Sequence, residues 1–147
     1  MASIHHCASS ISNDFLGSIL VNEVAPRPHN SGHYTIEACE TSQFENHLRS
    51  VLSLPLGSTD LKVPSTAMLN LIGGSGDVSE LTNFVNTAIA IPGSSVHLYG
   101  KADYRKGRKM GHVTIVGNSD DQVNNRLRPL LSRLPIPMTT EVPAPKA

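Results

Sequence analysis

Apolar positions along this chain fall into short clusters set between polar and turn-forming residues, and their spacing predicts each element in turn. Ile19-Leu20-Val21 reads as a buried strand running to Val24, with polar and charged side chains directly after it. Ser42 to Ser53 reads as a helix, because Phe44, Leu48, Val51 and Leu52 share one face. Ser42 with Glu45 forms a capping-box pattern at its start, and Pro55 and Gly57 are expected to stop it. Lys62 to Ser65 is a linker, and Met68 to Ile72 is a β-like run ended by Gly73-Gly74. Asp77 with Glu80 repeats the capping pattern and starts a second helix, whose apolar face is Leu81, Phe84, Val85 and Ala88. After a Pro92-Gly93 turn, Val96 to Gly100 and Met110 to Val116 read as the strands of a hairpin. Ser119 to Leu134 is helical in pattern, with Pro129 expected to kink or split it. Residues 1–16 are Ser- and His-rich without periodicity and read as loosely ordered, while Pro135 to Ala147 reads as a linker or tail.

Composition narrows the class. The chain has 147 residues, with 12 basic and 12 acidic side chains and a formal net charge of zero. A nucleic-acid or anionic-membrane surface needs an excess of Lys and Arg, so neither partner is expected. No apolar run approaches the ~20 residues of a membrane span, and no basic segment followed by a long apolar stretch marks a secretory signal. Cys7 and Cys39 have no metal-type spacing, which suits reduced thiols in the cytoplasm. Without Trp, the core must come mainly from Leu, Ile and Val.

Chemistry concentrates where the first strand ends. Asn22 and Glu23 supply hard oxygen ligands suited to Mg²⁺ and its bound phosphates. Arg27, His29, Asn30 and His33 supply donors for a small anion, and Pro26 and Pro28 stiffen the backbone around Arg27. The structural alternative for Asn30 and His33 is capping a short helix that begins near Tyr34. A second constellation lies between the hairpin strands, where Lys101 to Lys109 carries five positive charges against one negative. Read from residues alone, this is an ordinary Lys-rich hairpin tip. His97 and His112 read as packed or hydrogen-bonded structural histidines, and Cys39 as a small buried apolar residue. The His5-His6 pair reads as an adventitious metal binder.

The stretch from Ile19 to His33 resembles the C-terminal part of the ATP-grasp enzyme that carboxylates aminoimidazole ribonucleotide in purine biosynthesis, the first half of phosphoribosylaminoimidazole carboxylase in fungi and plants. The likeness continues through Tyr34-Thr35-Ile36-Glu37-Ala38-Cys39, Ser42-Gln43-Phe44-Glu45 and Leu54-Pro55-Leu56-Gly57. It resumes at Met68-Leu69-Asn70-Leu71-Ile72-Gly73 and Val96-His97-Leu98-Tyr99-Gly100-Lys101, and ends with Arg105 to His112.

The resemblance implies an α+β fold, with the terminal strand and helices of an ATP-grasp lobe over 17–58 and a small β-rich C-terminal module of the rudimentary hybrid-motif type over 59–134. It implies a reaction in which ATP and bicarbonate form carboxyphosphate, which carboxylates the exocyclic amine of aminoimidazole ribonucleotide. By matching motif, Glu23 is then the Mg²⁺ ligand with Asn22 beside the nucleotide. Arg27, His29 and Asn30 form the bicarbonate pocket, and Lys101 and Arg108 bind the substrate phosphate, with Lys106 and Lys109 adding only field. Both groups are expected on one shared concave surface. The family holds its metals with two carboxylates, and upstream of Asn22-Glu23 this chain offers only Asp14, within Ser9 to Phe15. The expectation is therefore a partial chain, not independently active, that forms a homo-oligomer or associates with the missing lobes. The alternatives are a non-catalytic remnant that binds phosphate-bearing ligands or joins a full-length relative, and a purely structural module.

Overall fold

A computed structural model describes residues 26–133. The strand expected over Ile19 to Val24, the residues Asn22 and Glu23, the first 16 residues and the Pro-rich tail lie outside the described residues. The chain divides into two compact units between Leu61 and Lys62.

The first unit opens with a 3-10 turn, Asn30–Tyr34, that runs into α1 (Thr35–Ala38) and then α2 (Gln43–Val51). Ser42 caps α2, its hydroxyl accepting from the Glu45 N–H at 3.1 Å. The reciprocal half of the capping box does not form among the described bonds, because Glu45 turns toward Arg49 one turn later at 2.6 Å. The helix stops before Pro55. Leu54 N–H reaches the Arg49 carbonyl at 2.7 Å and Ser53 N–H the Ser50 carbonyl at 3.2 Å, with Ser53 at φ 55°. That pattern is a Schellman ending with serine at the position that usually takes glycine. Beyond it, Asn46 clasps Gly57 through both ends of its amide, at 2.9 and 3.1 Å. The strand-like return is then fixed by Thr41 N–H to the Ser58 carbonyl and Glu40 N–H to the Asp60 carbonyl. The predicted apolar face of α2 exists, but Leu48, Val51 and Leu52 are 61, 68 and 65% exposed.

The second unit holds a three-stranded antiparallel sheet of β1 (Ser65–Ile72), β2 (Ser94–Leu98) and β3 (Lys109–Gly117), in the order β1-β3-β2. Helix α3 (Val78–Ile89) connects β1 to β2, which run parallel to each other, and β3 inserts between them. α3 packs on β2, and α4 (Asp120–Leu131) packs on β1 and β3. Leu69, Leu71, Phe84, Ala88, Val113, Ile115, Val123 and Leu130 form the core between sheet and helices. Alternation along β3 sends Val113 and Ile115 to that face and His112 and Thr114 to the other, and all four are at most 2% exposed. The fold is α+β, as expected.

Pro129 does not split α4, which continues to Leu131. Near the C-terminal end its missing N–H removes a single ladder bond, and Ser132 N–H still closes on the Arg128 carbonyl at 3.2 Å.

Candidate functional site

In the first unit, the Arg27 to His33 segment is held by its own turn and by Gln43. His29 is the residue that caps the 3-10 turn, from an extended backbone at φ −87°, ψ 150°. Its Nδ1 accepts from the Ser31 N–H at 3.3 Å and lies 2.8 Å from the Ser31 hydroxyl, which assigns the proton of the neutral ring to Nε2. The alternative that Asn30 and His33 cap the helix is corrected here, because helical geometry begins at Asn30 and puts His29 in the capping position. His33 lies in the last turn instead, with Nδ1 2.5 Å from the Asn30 carbonyl and its ring 5.4 Å from that of Phe44. Gln43 Oε1 accepts from the His29 N–H at 2.7 Å. A Cβ on Gly32 would overlap that amide, so glycine is required for Gln43 to reach the turn. Arg27 is exposed and donates to the Pro28 carbonyl at 3.1 Å through one guanidinium nitrogen.

In the second unit, the basic loop is not a free hairpin tip. Gly73 N–H donates to the Arg108 carbonyl at 2.8 Å, and Gly107 N–H donates back to the Gly73 carbonyl at 2.9 Å. A Cβ on Gly73 would overlap the Arg105 carbonyl oxygen, so the loop backbone lies directly on the end of β1. The Tyr104 hydroxyl accepts from the Gly74 N–H at 2.9 Å and donates to Glu80 Oε2 at 3.1 Å, and the same oxygen accepts from the Ser75 N–H at 3.1 Å. Hydrogen bonds from Ser75 hold the Glu80 carboxyl below its usual range, and burial raises the Tyr104 phenol. At neutral pH the pair is therefore a carboxylate and a protonated phenol. Tyr104 and Glu80 also line a cavity of about 240 Å³ with Leu71, Leu81 and Phe84.

This bracing sorts the loop cations. Lys101 and Arg108 are half-buried, whereas Arg105, Lys106 and Lys109 are exposed. Lys101 Nζ donates to the Lys109 carbonyl at 2.5 Å and sits 5.7 Å from the centre of the Tyr99 ring. Arg108 donates to the Asp103 carboxylate, and that hydrogen bond holds the Asp103 carboxyl below its ordinary value. Behind the loop, His97 and His112 stack at 4.5 Å with planes 14° apart, and His112 Nδ1 lies 3.0 Å from the Tyr99 hydroxyl. They are packed histidines, with His112 hydrogen-bonded as well, as their place in the strands predicts. Cys39 is buried, at 3% exposure.

Among the described residues no group of three or more His, Cys, Asp or Glu side chains is arranged to hold a metal ion. No described helix is long and apolar enough to cross a membrane. The sequence alone assigned no role to Gln43 or Tyr104, and marked Gly73 only as the end of a strand and Glu80 only as a capping residue. The signal available was thin: a glycine pair at the end of a strand and a tyrosine inside a basic loop.

Comparison with known proteins bears on both units. The family profile for the phosphoribosylaminoimidazole carboxylase C-terminal domain matches residues 66–126, and that for the ATP-grasp domain matches residues 15–44. The chain is 51% identical over 118 residues to phosphoribosylaminoimidazole carboxylase of Schizosaccharomyces pombe, a match that takes in 78% of this chain and 21% of that protein. To N5-carboxyaminoimidazole ribonucleotide synthase of Bacillus subtilis it is 48% identical over 106 residues, 72% of this chain and 26% of that one. The structure of N5-carboxyaminoimidazole synthase of Aspergillus clavatus in complex with ADP and 5-aminoimidazole ribonucleotide superimposes with a TM-score of 0.71 at 42% identity, over 79% of this chain and 31% of that one. The chain thus spans only about a fifth to a third of the relatives it matches. With both profiles falling in the order expected and identity near one half, the chain belongs to the phosphoribosylaminoimidazole carboxylase family and corresponds to the C-terminal part of its ATP-grasp region.

Proposed function

We propose that this chain serves the ATP- and bicarbonate-dependent carboxylation of aminoimidazole ribonucleotide in de novo purine biosynthesis, in the cytoplasm, as a part that does not catalyse the reaction alone. The observation that carries this reading is the sorting of the basic loop. Lys101 and Arg108 are half-buried and hydrogen-bonded, whereas Arg105, Lys106 and Lys109 are exposed, although Arg105 also reaches the Asp103 carboxylate at 3.4 Å. A point-charge ammonium and a forked guanidinium held on one loop suit the phosphate of a ribonucleotide.

In the first unit, Arg27, His29 and Asn30 suit bicarbonate. The Arg27 guanidinium offers a planar fork, His29 Nε2–H is a donor fixed by the cap on Nδ1, and the Asn30 amide adds a further donor. Asn22 and Glu23 are assigned to the Mg²⁺–nucleotide by the family motif they match, and their chemistry suits it, since one carboxylate and one amide carbonyl are hard oxygen donors for a cation that keeps its phosphates. Bound ATP would supply the activating phosphoryl group, and the described residues would orient the anion and the ribonucleotide.

Titration of the 147-residue chain with aminoimidazole ribonucleotide tests the reading. Weak binding is expected, lost in Arg108→Ala and kept within roughly twofold in Lys106→Ala, as befits an exposed charge. Equal losses in the two variants would reduce the loop to a diffuse positive field and overturn the assignment. Bicarbonate-dependent ADP release by the chain alone would overturn its dependence on other parts.

A second reading, in which the chain is a non-catalytic remnant that associates with a full-length relative, is favoured by one observation: the exposed apolar side chains of Leu48, Val51, Leu52, Leu54 and Leu56.

A further inference from the structure

We infer that Tyr104 and Glu80 are positioning residues for the ribonucleotide phosphate, a role that rests on the assignment of Lys101 and Arg108 to that phosphate. A loop of this length between two strands is ordinarily free to move, and two cations on a mobile loop would lose conformational entropy on closing around one small anion. Here that entropy is already lost in the folded chain. The Tyr104 hydroxyl bridges the Gly74 N–H at 2.9 Å and Glu80 Oε2 at 3.1 Å, and Glu80 also takes the Ser75 N–H at 3.1 Å. Three points of the molecule are thereby tied together: the end of β1, the first turn of α3 and the middle of the loop.

Four residues beyond Tyr104, the backbone of Arg108 is clamped on Gly73 by the reciprocal bonds from Gly73 N–H and Gly107 N–H. The loop is thus pinned twice, once by a side chain and once by backbone, and Arg108 leaves the second pin. The phenol stays protonated because burial raises its pKa, so it donates to Glu80 across the neutral range. Glu80 stays a carboxylate because Ser75 stabilises the charged form. The geometry makes the pair a latch that sets where Arg108 stands before any phosphate arrives.

The test compares Tyr104→Phe, Glu80→Ala and Glu80→Gln in the whole chain, with ribose 5-phosphate as the probe and amide hydrogen exchange as a second readout. Tyr104→Phe keeps the ring that lines the neighbouring cavity and removes only the hydroxyl. It should weaken ribose 5-phosphate binding roughly fivefold, the scale of a typical net hydrogen-bond contribution, and speed exchange at Gly107. Glu80→Ala should do the same, while Glu80→Gln, which keeps an acceptor oxygen, should stay within roughly twofold. Amides in the interior of α3, such as those of Phe84 and Ala88, should keep their protection, which separates a lost latch from a loosened core.

Unchanged affinity and unchanged Gly107 exchange in Tyr104→Phe would overturn the inference. Failure of the unaltered chain to bind ribose 5-phosphate would overturn the phosphate assignment instead, and faster Gly107 exchange in Tyr104→Phe would still show the latch. Equal losses in Glu80→Gln and Glu80→Ala would show that the carboxylate charge, not the shared hydrogen bond, sets the loop.

Discussion

The Arg108 guanidinium donates to the carboxylate of Asp103, five residues earlier in the same loop. Asp103 is the one acid among the five cations of Lys101 to Lys109, so it holds the side chain that a phosphate would need and repels the phosphate as well. Asp103→Asn is expected to tighten ribose 5-phosphate binding roughly two- to fivefold at low ionic strength, as for an exposed ion pair. The gain should fade as salt screens the carboxylate. Titration at two salt concentrations checks this, and weaker binding would show that Asp103 orders the guanidinium more than it competes for it.

Gly73→Ala should be disruptive for a reason that lies in the backbone. The added methyl meets the Arg105 carbonyl oxygen, which cannot move without breaking the Gly73–Arg108 and Gly107–Gly73 hydrogen bonds. The expected cost is about 1–3 kcal/mol, the range for overpacking a tight contact, read from the urea midpoint. An unchanged midpoint would show that the loop yields at no cost.

Ser53→Gly should act in the opposite direction. Ser53 occupies the left-handed region at φ 55° to end α2, where a side chain is disfavoured by roughly 1–2 kcal/mol and glycine is not. A gain of about 1 kcal/mol is expected once the greater freedom of glycine in the unfolded chain is subtracted. Chemical denaturation of the two proteins measures it directly.

Stability should fall at both ends of the pH scale. Asp77 and Glu80 have carboxyls held below their ordinary 3.8 and 4.5 by hydrogen bonds from Ser79 and Ser75. Their contribution is present above those values and is lost as pH falls through the lower folded ones. Tyr99 and Tyr104 are raised above 10.0 by burial, so their contribution is present below that value and is lost as pH rises through the folded pKa. Thermal midpoints across pH should show a plateau between these limits, and Tyr104→Phe should soften the alkaline loss.

The apolar face of α2 should drive self-association. Leu48, Val51 and Leu52 are each more than half exposed and share a helix face, so water is excluded when two such faces meet. Sedimentation velocity should show concentration-dependent association, shifted toward monomer by Leu52→Lys with the helical circular dichroism retained. A monodisperse monomer of the unaltered chain at high concentration would contradict the expectation.

Much of the fold was legible because its signals are local. The apolar period of Leu81, Phe84 and Ala88 sets a helix wherever the chain goes, and all three lie toward the core. The caps at Ser42 and Asp77 depend on residues within one turn, and the hairpin of β2 and β3 on a single connection. Among the described residues, the sequence by itself therefore determined the helix and strand segments in outline, the α+β class, and the concentration of charge between Lys101 and Lys109. Tertiary structure decided the rest. That β3 lies between β1 and β2 depends on pairing across more than forty residues, as Asn70 with His112, which no local period encodes. The apolar stripe of Leu48, Val51 and Leu52 looked like a core face and is exposed, because a stripe states what a helix can bury and not what it meets. Glu80 was read as a capping residue and instead holds Ser75 and the distant Tyr104, since a carboxylate takes whichever donors folding brings within 3.1 Å. Burial separates Lys101 and Arg108 from the other cations of the loop, and burial is a property of neighbours in space that the charge pattern along the chain does not encode.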